Sequence, residues 1–435
     1  MARGRKKENL TPEERLQAAL VPESEQPYEV PKNWCWVRLG EFSTSQYGYT
    51  AKAIKNDAYP KMLRITDIQE CGVNWSDVPN CEITQDNLEK YRLSDGDIVI
   101  ARTGATTGKS FFLNDPCNSV FASYLIRLRV NKGAFPKYVF DFLQTDHYWK
   151  QISELSSGIA QPGVNATKLQ SLCFPLSPLA EQQRIVDRIE SLFAKLDEAK
   201  QKAQDALDSF ETRKAAILHK AFTGELTAQW RKEHGVGMES WDNTTLSKIV
   251  IGFKYGTSEK SDYSYKGMPV FRIPNITDDG LSFEDLKFLS HKDISDENQI
   301  HENDILIVRS NGSRELVGKS VLVPQLDREY AYASFLIRIQ PLESVVPNYL
   351  VMYLNSTDAR MQMFKKAKSS AGINNINSKE LGAILINLPS FSEQAEIVCI
   401  LDNLLAKEQL AKEAAEGVLE QIDLIKKAIL ARAFR

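Results

Sequence analysis

Apolar positions along the chain follow two alternating patterns. Short runs rich in β-branched and aromatic residues, such as GDIVIAR (96–102) and YLIRLRV (124–130), are separated by Gly, Asp and Asn. Such runs are typical of strands joined by turns. Short helical patterns, such as PKYVFDFLQTD (136–146), lie between them. The mixture predicts two compact domains of the α+β class, over residues 31–176 and 241–388.

Each β-rich stretch is followed by apolar residues in steps of four and three, the heptad pattern of a helix that packs along another helix. The first seam comprises Ile185, Ile189, Leu192, Leu196, Ala199, Ala203, Ala206, Phe210 and Ile217. The second comprises Ile397, Leu401, Leu404, Ala411, Ala415, Val418, Ile422, Ile425 and Ile429. Glu408 interrupts the second seam, at the position that Leu196 occupies in the first.

The first long helix has start and stop signals. Ser177 is a suitable N-cap with Pro178 at the first helical position, and Gly224 lies just beyond Phe222. About 40 residues at roughly 1.5 Å each give a rod of roughly 60 Å. We interpret the rods as spacers of fixed length, and an alternative is that they only staple the two domains together.

The two halves of the chain are copies of one module. The matched pairs, whose offsets drift from 207 to 212 residues, are Trp34–Leu39 with Trp241–Leu246, 63–68 with 271–276, 96–102 with 303–309, 122–130 with 333–341, and 181–186 with 393–398. Leu10-Thr11 also matches Leu226-Thr227, so the repeat continues across the two termini. This continuity predicts a pseudo-two-fold arrangement with antiparallel helices, although the pattern alone leaves a parallel arrangement open.

The predicted organisation therefore has six parts. They are an N-terminal arm (1–30), a first β-rich domain (31–176), a first spacer helix (177–224), a linker (225–240), a second β-rich domain (241–388) and a second spacer helix (389–435).

Composition narrows the class of protein. Of the 435 residues, 43% are apolar and 26% are charged, which is ordinary for a globular protein. No apolar run reaches the length of a membrane span, and no apolar segment follows the basic N-terminus, so we expect a cytoplasmic protein. The six cysteines form no C-x-x-C pair, which argues against zinc sites and disulfides. A net charge of −3 does not indicate a nucleic-acid binder, but local patches decide recognition.

Two segments resemble a phosphate-binding P-loop, but neither has its spacing. The P-loop requires four residues between its two glycines. Gly104 and Gly108 enclose three residues, and Gly312 and Gly318 enclose five. The chain also lacks the Asn/Asp-Pro-Pro-aromatic motif of adenine methyltransferases and any Pro-Asp dipeptide of the restriction-nuclease type. We therefore predict a binding protein that is not an enzyme.

The helix-linked motifs resemble those of the specificity subunits of type I restriction–modification systems. The motifs are WCWVRLGEF (34–42), PLSPLAEQQRIVDRI (175–189), RKAAILHKAFTGELT (213–227) and LPSFSEQAEIVCI (388–400). The resemblance implies that each β-rich domain recognises one half of a bipartite site in double-stranded DNA. It also implies two methyltransferase subunits that modify adenine N6 with S-adenosylmethionine, and restriction subunits that cleave. Those partners would hold the cofactors, and this chain none.

Polar loops with cations are the candidate DNA contacts, because such side chains bind phosphates and base edges. They are Tyr47, Tyr49, Thr50, Lys52, Arg64, Arg102, Thr103, Thr106, Lys109, Ser157 and Gln161 in the first half, and Lys254, Tyr255, Thr257, Arg272, Arg309, Asn311, Arg314, Lys319, Lys365, Lys366 and Lys368 in the second. The alternative functions are a repeat-built scaffold or an anti-restriction mimic. A mimic of DNA should be strongly acidic, and this chain is not.

Overall fold

The structure, a computed structural model, describes residues 17, 19–69, 72–131, 133–156, 163–292, 294–370 and 372–435, without the side chains of 156 and 368–370. The chain forms two compact units. The first contains Met1–Ala203 and Gly417–Arg435, and the second contains Gln204–Glu416.

Short strands and helices alternate in both units. The strands are β1 (Cys35–Arg38), β2 (Ser43–Tyr47), β3 (Lys61–Leu63), β4 (Ile68–Gln69), β5 (Gly72–Val73), β6 (Ile98–Ala101), β7 (Ser110–Phe112), β8 (Ser119–Phe121), β9 (Leu125–Val130), β10 (Cys173–Leu176), β11 (Asp242–Thr245), β12 (Val250–Tyr255), β13 (Pro269–Phe271), β14 (Lys287–Phe288), β15 (Ile305–Val308), β16 (Ser310–Asn311), β17 (Ser320–Leu322), β18 (Ala331–Tyr332), β19 (Leu336–Pro341), β20 (Lys368–Ser370), β21 (Ile373–Asn375) and β22 (Leu385–Leu388). The helices are α1 (Leu39–Phe42), α2 (Gln85–Tyr91), α3 (Pro136–Phe142), α4 (Asp146–Ser156), α5 (Ala166–Gln170), α6 (Leu179–Asp208), α7 (Phe210–Phe222), α8 (Ala228–Glu233), α9 (Pro347–Leu354), α10 (Thr357–Lys366), α11 (Ser378–Gly382) and α12 (Phe391–Ala433).

A four-stranded antiparallel sheet of order β2-β9-β6-β7 is central to the first unit. All four residues of β6 are buried, because the sheet is covered on both faces. Ile98 and Ile100 pack into a large core with α3 and α4, whereas Val99 and Ala101 pack into a smaller one with Leu63. Because side chains alternate between the two faces of a strand, β6 contributes residues to two separate cores.

The second unit repeats this sheet as β12-β19-β15-β17. In β15, Ile305 and Ile307 face one core, and Leu306 and Val308 face the other. Each unit also has an antiparallel pair that joins its beginning to its end, β1 with β10 and β11 with β22. A parallel pairing recurs as well, β3 with β8 and β13 with β18. The predicted α+β class with two repeated β-rich domains is confirmed.

The first long helix is interrupted at Ser209, which separates α6 from α7. The carbonyl of Ala206 would ordinarily accept from the Phe210 N–H, but it accepts from the Ser209 hydroxyl at 3.1 Å and from Arg213 Nη1 at 3.2 Å. Such competition for a carbonyl bends a helix. The predicted stop is present, since α7 ends at Phe222 and Gly224 has a φ of +81°.

Within each unit, the long helices are antiparallel. In the second unit, Lys412 Nζ lies 5.0 Å from the centroid of the Phe210 ring, and Arg213 Nε donates to Glu408 Oε2 at 2.8 Å. Residue numbers in these contacts therefore increase along α7 while they decrease along α12, so the two helices run antiparallel. In the first unit, Asp197 of α6 pairs with Lys426 at 2.5 Å, and Ile189 packs in one core with Leu430.

The first apolar seam is confirmed, since each of its residues is at least half-buried. After Glu408 the predicted second seam is half right: Ala415, Ile422 and Ile429 are at least half-buried, but Ala411, Val418 and Ile425 are exposed. Lys412, Leu419 and Lys426 are half-buried instead, one position later. The step after Glu408 is four residues rather than three, because the Glu408 side chain occupies the seam to pair with Arg213.

A buried polar cluster joins the linker to the start of α12 in the second unit. Glu393 is fully buried and accepts from Arg231 Nη1 at 2.6 Å, from the Thr227 hydroxyl at 2.7 Å and from Trp241 Nε1 at 2.9 Å. A buried carboxylate needs such partners to offset its loss of hydration. The counterpart of Thr227 is Thr11, which lies outside the described residues.

No helix in the described part of the chain is both long enough and apolar enough to cross a membrane.

Candidate nucleic-acid interface

In the first β-rich domain, an arginine is held over a tyrosine at the end of the central sheet. Arg102 directly follows β6, and its Cζ lies 4.9 Å from the centroid of the Tyr47 ring. Its Nη1 donates to the Ser123 carbonyl at 3.4 Å. The Tyr47 hydroxyl in turn accepts from the Ala166 N–H at 3.0 Å, at the start of α5. Three separate segments therefore position this guanidinium group.

The second β-rich domain repeats the arrangement contact by contact. Arg309 directly follows β15, and its Cζ lies 4.6 Å from the centroid of the Tyr255 ring. Its Nη1 donates to the Ser334 carbonyl at 3.4 Å, and the Tyr255 hydroxyl accepts from the Ser378 N–H at 2.9 Å. We call these two clusters the arginine–tyrosine sites.

A glycine follows the tyrosine in both sites for a steric reason. A Cβ atom on Gly48 would lie 2.1 Å from the Ala122 carbonyl oxygen, and one on Gly256 would lie 2.2 Å from the Tyr332 carbonyl oxygen. Both distances are far below van der Waals contact. The YG dipeptides at 47–48 and 255–256 thus allow two backbone segments to approach each other, which places the tyrosine beneath its arginine.

Carboxylate partners separate the predicted cations into two groups. Several are neutralised by ion pairs: Arg64 with Asp67 at 2.6 Å, Arg272 with Asp285 at 3.2 Å, Lys254 with Glu297 at 2.5 Å and Lys319 with Asp278 at 2.8 Å. The hydrogen bond from Lys319 lowers the pKa of the Asp278 carboxyl, and that from Lys254 lowers the pKa of Glu297. Among the described residues, Arg102 and Arg309 have no carboxylate partner.

The two GKS segments are turns between strands. Gly108 and Gly318 have φ values of +88° and +87°, and their N–H groups donate to Ala101 and Val308 at 2.8 and 2.7 Å. These bonds close the connections β6–β7 and β15–β17. A phosphate cradle of the P-loop type needs a helix after the Lys, whereas β7 and β17 follow here. Lys109, at the end of the first turn, is exposed.

The other predicted residues of the first domain differ in exposure. Thr50, Lys52 and Thr106 are exposed, and Thr103 is half-buried. Tyr49 packs on Tyr91, with ring centroids 5.3 Å apart. Ser157 and Gln161 lie outside the described residues.

In the second domain, the structure brings Arg314 to the end of α10. Its guanidinium donates to the Phe364 carbonyl at 2.8 Å, next to Lys365 and Lys366 in the last turn of that helix. Asn311 is half-buried and accepts from the Ser313 N–H at 2.8 Å. The side chain of Lys368 lies outside the described part.

Thr257 differs from these, because its side chain is buried and its hydroxyl accepts from the Glu259 N–H at 3.1 Å. This side chain supports the turn after β12 and presents no surface to a ligand.

Sequence reasoning missed two aromatic residues beside the arginine–tyrosine sites. Tyr124 is 65% exposed and Phe335 is 57% exposed. Their carbonyls accept the backbone N–H groups of Arg102 and Arg309 at 3.1 and 2.9 Å. The signal was present in the matched segments ASYLIRLRV and ASFLIRIQP, in which the third residue is aromatic where a turn favours a polar residue.

No group of three or more His, Cys, Asp or Glu side chains is arranged to hold a metal ion within the described ranges.

Comparisons with known proteins agree on one family. The profile of the type I restriction modification DNA specificity domain matches residues 31–207 and again 238–420. The type I restriction enzyme EcoKI specificity subunit of Escherichia coli K12 is 27% identical over 423 residues, covering 94% of this chain and 89% of that protein. The StySPI specificity subunit of Salmonella potsdam is 25% identical with the same coverages.

Solved structures share the fold. The crystal structure of the HsdS subunit from Thermoanaerobacter tengcongensis has a TM-score of 0.65 at 21% identity, with 95% of this chain and 99% of that chain covered. A chain from a study of complex assembly and conformational transition of the type I R-M system has a TM-score of 0.68, also at 21% identity, with 94% and 99% covered.

Proposed function

Because the chain belongs to the type I restriction–modification DNA specificity family, we propose that it recognises a bipartite site in double-stranded DNA, one half with each β-rich domain. Specificity subunits are the non-catalytic, DNA-recognising subunits of these systems. In the proposal, this one directs two methyltransferase subunits to adenine N6 and restriction subunits to the same site. Because such a complex acts on cellular DNA, we propose that it works in the cytoplasm.

One observation carries the assignment of the contacts, namely that an arginine without a carboxylate partner is held over a tyrosine in both domains. An arginine fork matches the O6 and N7 atoms of guanine or a phosphate group. An arginine that is already positioned loses little conformational freedom on binding. We therefore propose Arg102 and Arg309 as the principal contacts in the first and second half-sites.

The remaining candidates have supporting roles in the proposal. Lys109, Arg314, Lys365 and Lys366 carry no carboxylate partner among the described residues and are proposed to bind phosphates. The ion-paired Arg64, Arg272, Lys254 and Lys319 would have to exchange a carboxylate for DNA, so they are proposed as weaker contacts. The long helices are proposed to set the gap between the half-sites.

The test is a map of methylated adenine made with the full complex. We expect the complex with the wild-type chain to methylate one split motif. Arg102→Ala should reduce this methylation by weakening recognition of the first half-site, and Arg309→Ala by weakening recognition of the second. Each loss should be about tenfold or more, since a bidentate base contact contributes roughly 1–3 kcal/mol. Arg64→Ala and Arg272→Ala are matched controls with carboxylate partners and should have smaller effects.

A chain that directs methylation to no motif, although it is folded and bound to the methyltransferase, would contradict the proposed function. A motif that both arginine variants leave unchanged would contradict only the assignment of the contacts.

A further inference from the structure

Two exposed aromatic side chains occupy the same place in the two domains. Tyr124 and Phe335 each precede the strand that crosses the middle of the central sheet, β9 and β19. A single exposed aromatic residue is ordinary on a protein surface. Here, however, exposure recurs at matched positions of the two repeats, which indicates a common requirement at this point.

The backbone under both rings is fixed. Ala122 and Ala333 close tight turns by accepting from the Leu125 and Leu336 N–H groups, both at 2.9 Å. The carbonyls of Ser123 and Ser334 accept from the guanidinium groups of Arg102 and Arg309. In each turn, therefore, the arginine bonds through its guanidinium group to the residue before the aromatic one and through its backbone N–H to the aromatic residue itself.

The side chains themselves are unengaged within the described part of the chain. Neither ring stacks on another ring or a cation, and the Tyr124 hydroxyl has no hydrogen-bond partner there. Each aromatic residue bonds through its backbone carbonyl to an arginine that has no carboxylate partner among the described residues, so the surroundings suit a polyanion. An aromatic face beside a positively charged fork matches the major groove of DNA, which presents guanine acceptors next to thymine methyl groups.

We propose that Tyr124 and Phe335 are specificity-determining residues, each contacting a base edge in the half-site that its own domain reads. This inference rests on the proposed function. Phe335 offers only apolar surface, so it favours a thymine through the C5-methyl group. Tyr124 adds a hydroxyl group, which donates or accepts a hydrogen bond at a base edge. The two half-sites are therefore read by different chemistry at corresponding positions.

The experiment uses the full chain in complex with its methyltransferase subunits. Methylation rates are measured on duplexes in which each base pair of the motif is replaced in turn, and in which each thymine is replaced by uracil to remove the methyl group. We expect Phe335→Ala to lower the rate on the intact motif about tenfold, the effect of one poorly matched base pair. On the duplex that lacks the critical methyl group, the wild-type chain should be slowed to a similar degree, and Phe335→Ala should cause no further loss.

Tyr124→Phe is the matched variant in the first domain. It keeps the ring and removes the hydroxyl, so discrimination at one base pair of the first half-site should fall while the second half-site is read as before. Phe335→Tyr is the reciprocal variant and should alter one position of the second half-site only. Both side chains are exposed, and equal melting temperatures of the variants confirm that folding is intact.

The outcomes separate this inference from the proposed function. If Arg102→Ala and Arg309→Ala lose methylation but Tyr124→Ala and Phe335→Ala do not, the inference is wrong and the proposed function stands. A uniform loss on every duplex, whatever the base substitution, also overturns it, because the aromatic residues would then not read sequence. If the wild-type complex is folded but methylates no motif, both proposals fail.

Discussion

At the scale of single residues, Asp141 distinguishes the two repeats. It lies in α3 of the first unit, where the matching residue of α9 in the second unit is Met352. The carboxyl is buried and pairs with Lys137 at 3.4 Å, and its Oδ2 has no hydrogen-bond partner among the described residues. Burial raises the pKa of Asp141 to about 7, although the nearby Lys137 opposes the shift.

This shift predicts a pH-dependent stability. The folded chain holds the Asp141 proton more tightly than the unfolded chain, so the free energy of unfolding falls as pH rises from about 4 to about 7. Asp141→Met should remove that slope and raise stability above pH 7 by on the order of 2 kcal/mol. Urea unfolding from pH 4 to pH 8 measures both effects.

The exposed Asp146→Asn is the control for that series and should leave the slope in place. The reciprocal Met352→Asp should introduce a slope of the same sign but smaller size in the second unit, because Met352 is only half-buried. The assigned pKa shift of Asp141 would be contradicted if the free energy of unfolding of the wild-type chain, compared with that of Asp141→Met, rose between pH 5 and pH 7.

At the scale of elements, the end of β12 determines where Tyr255 lies. Gly256 passes so close to the Tyr332 carbonyl that no side chain fits between the two segments. Displacement of β12 by a side chain would move the Tyr255 ring away from Arg309. The conformation of a loop glycine is thereby linked to the position of a guanidinium group.

Gly256→Ala should therefore weaken recognition of the second half-site, by about tenfold or more, and leave the first half-site unaffected. Gly252→Ala is the matched control, because Gly252 lies in the same strand and its added Cβ would meet open space. Methylation of duplexes with either half-site altered separates the two effects. Equal rates for the two glycine variants would show that the close approach does not position the site.

At the scale of the whole molecule, the length of the long helices is proposed to set the number of base pairs between the two half-sites. Asp197 and Lys426 lie opposite each other in the first unit. Removing residues 197–203 together with 420–426 shortens both helices by one heptad and keeps the seam in phase. Seven residues at about 1.5 Å each correspond to about three base pairs of DNA at about 3.4 Å.

We expect this paired deletion to shorten the preferred gap by about three base pairs while both half-site sequences stay the same. Methylation of a duplex library with gaps of different length measures the preference. Exchange of residues 31–176 for another such domain is the complementary control, since it should change the first half-site and leave the gap as it was. An unchanged gap after the deletion would show that the length of the helices does not set the distance between the half-sites.

The sequence by itself determined the repeat, the α+β class and the heptad helices, because these depend on periodicity and order along the chain. It also indicated Arg102 and Arg309, which follow strands at matched positions. It failed at Ala411, Val418 and Ile425, because whether a charged residue enters a helix seam depends on Arg213 of the opposite helix.

Only the tertiary structure decided which predicted cations pair with a carboxylate far away in the chain. Lys109 and Lys319 occupy equivalent positions in the two GKS segments, yet among the described residues only Lys319 pairs with a carboxylate, that of the distant Asp278. Exposure of Tyr124 and burial of Thr257 likewise depend on how distant segments fold over each other. Local pattern specifies elements, whereas pairing between residues far apart in the chain specifies the charge and the shape of a binding surface.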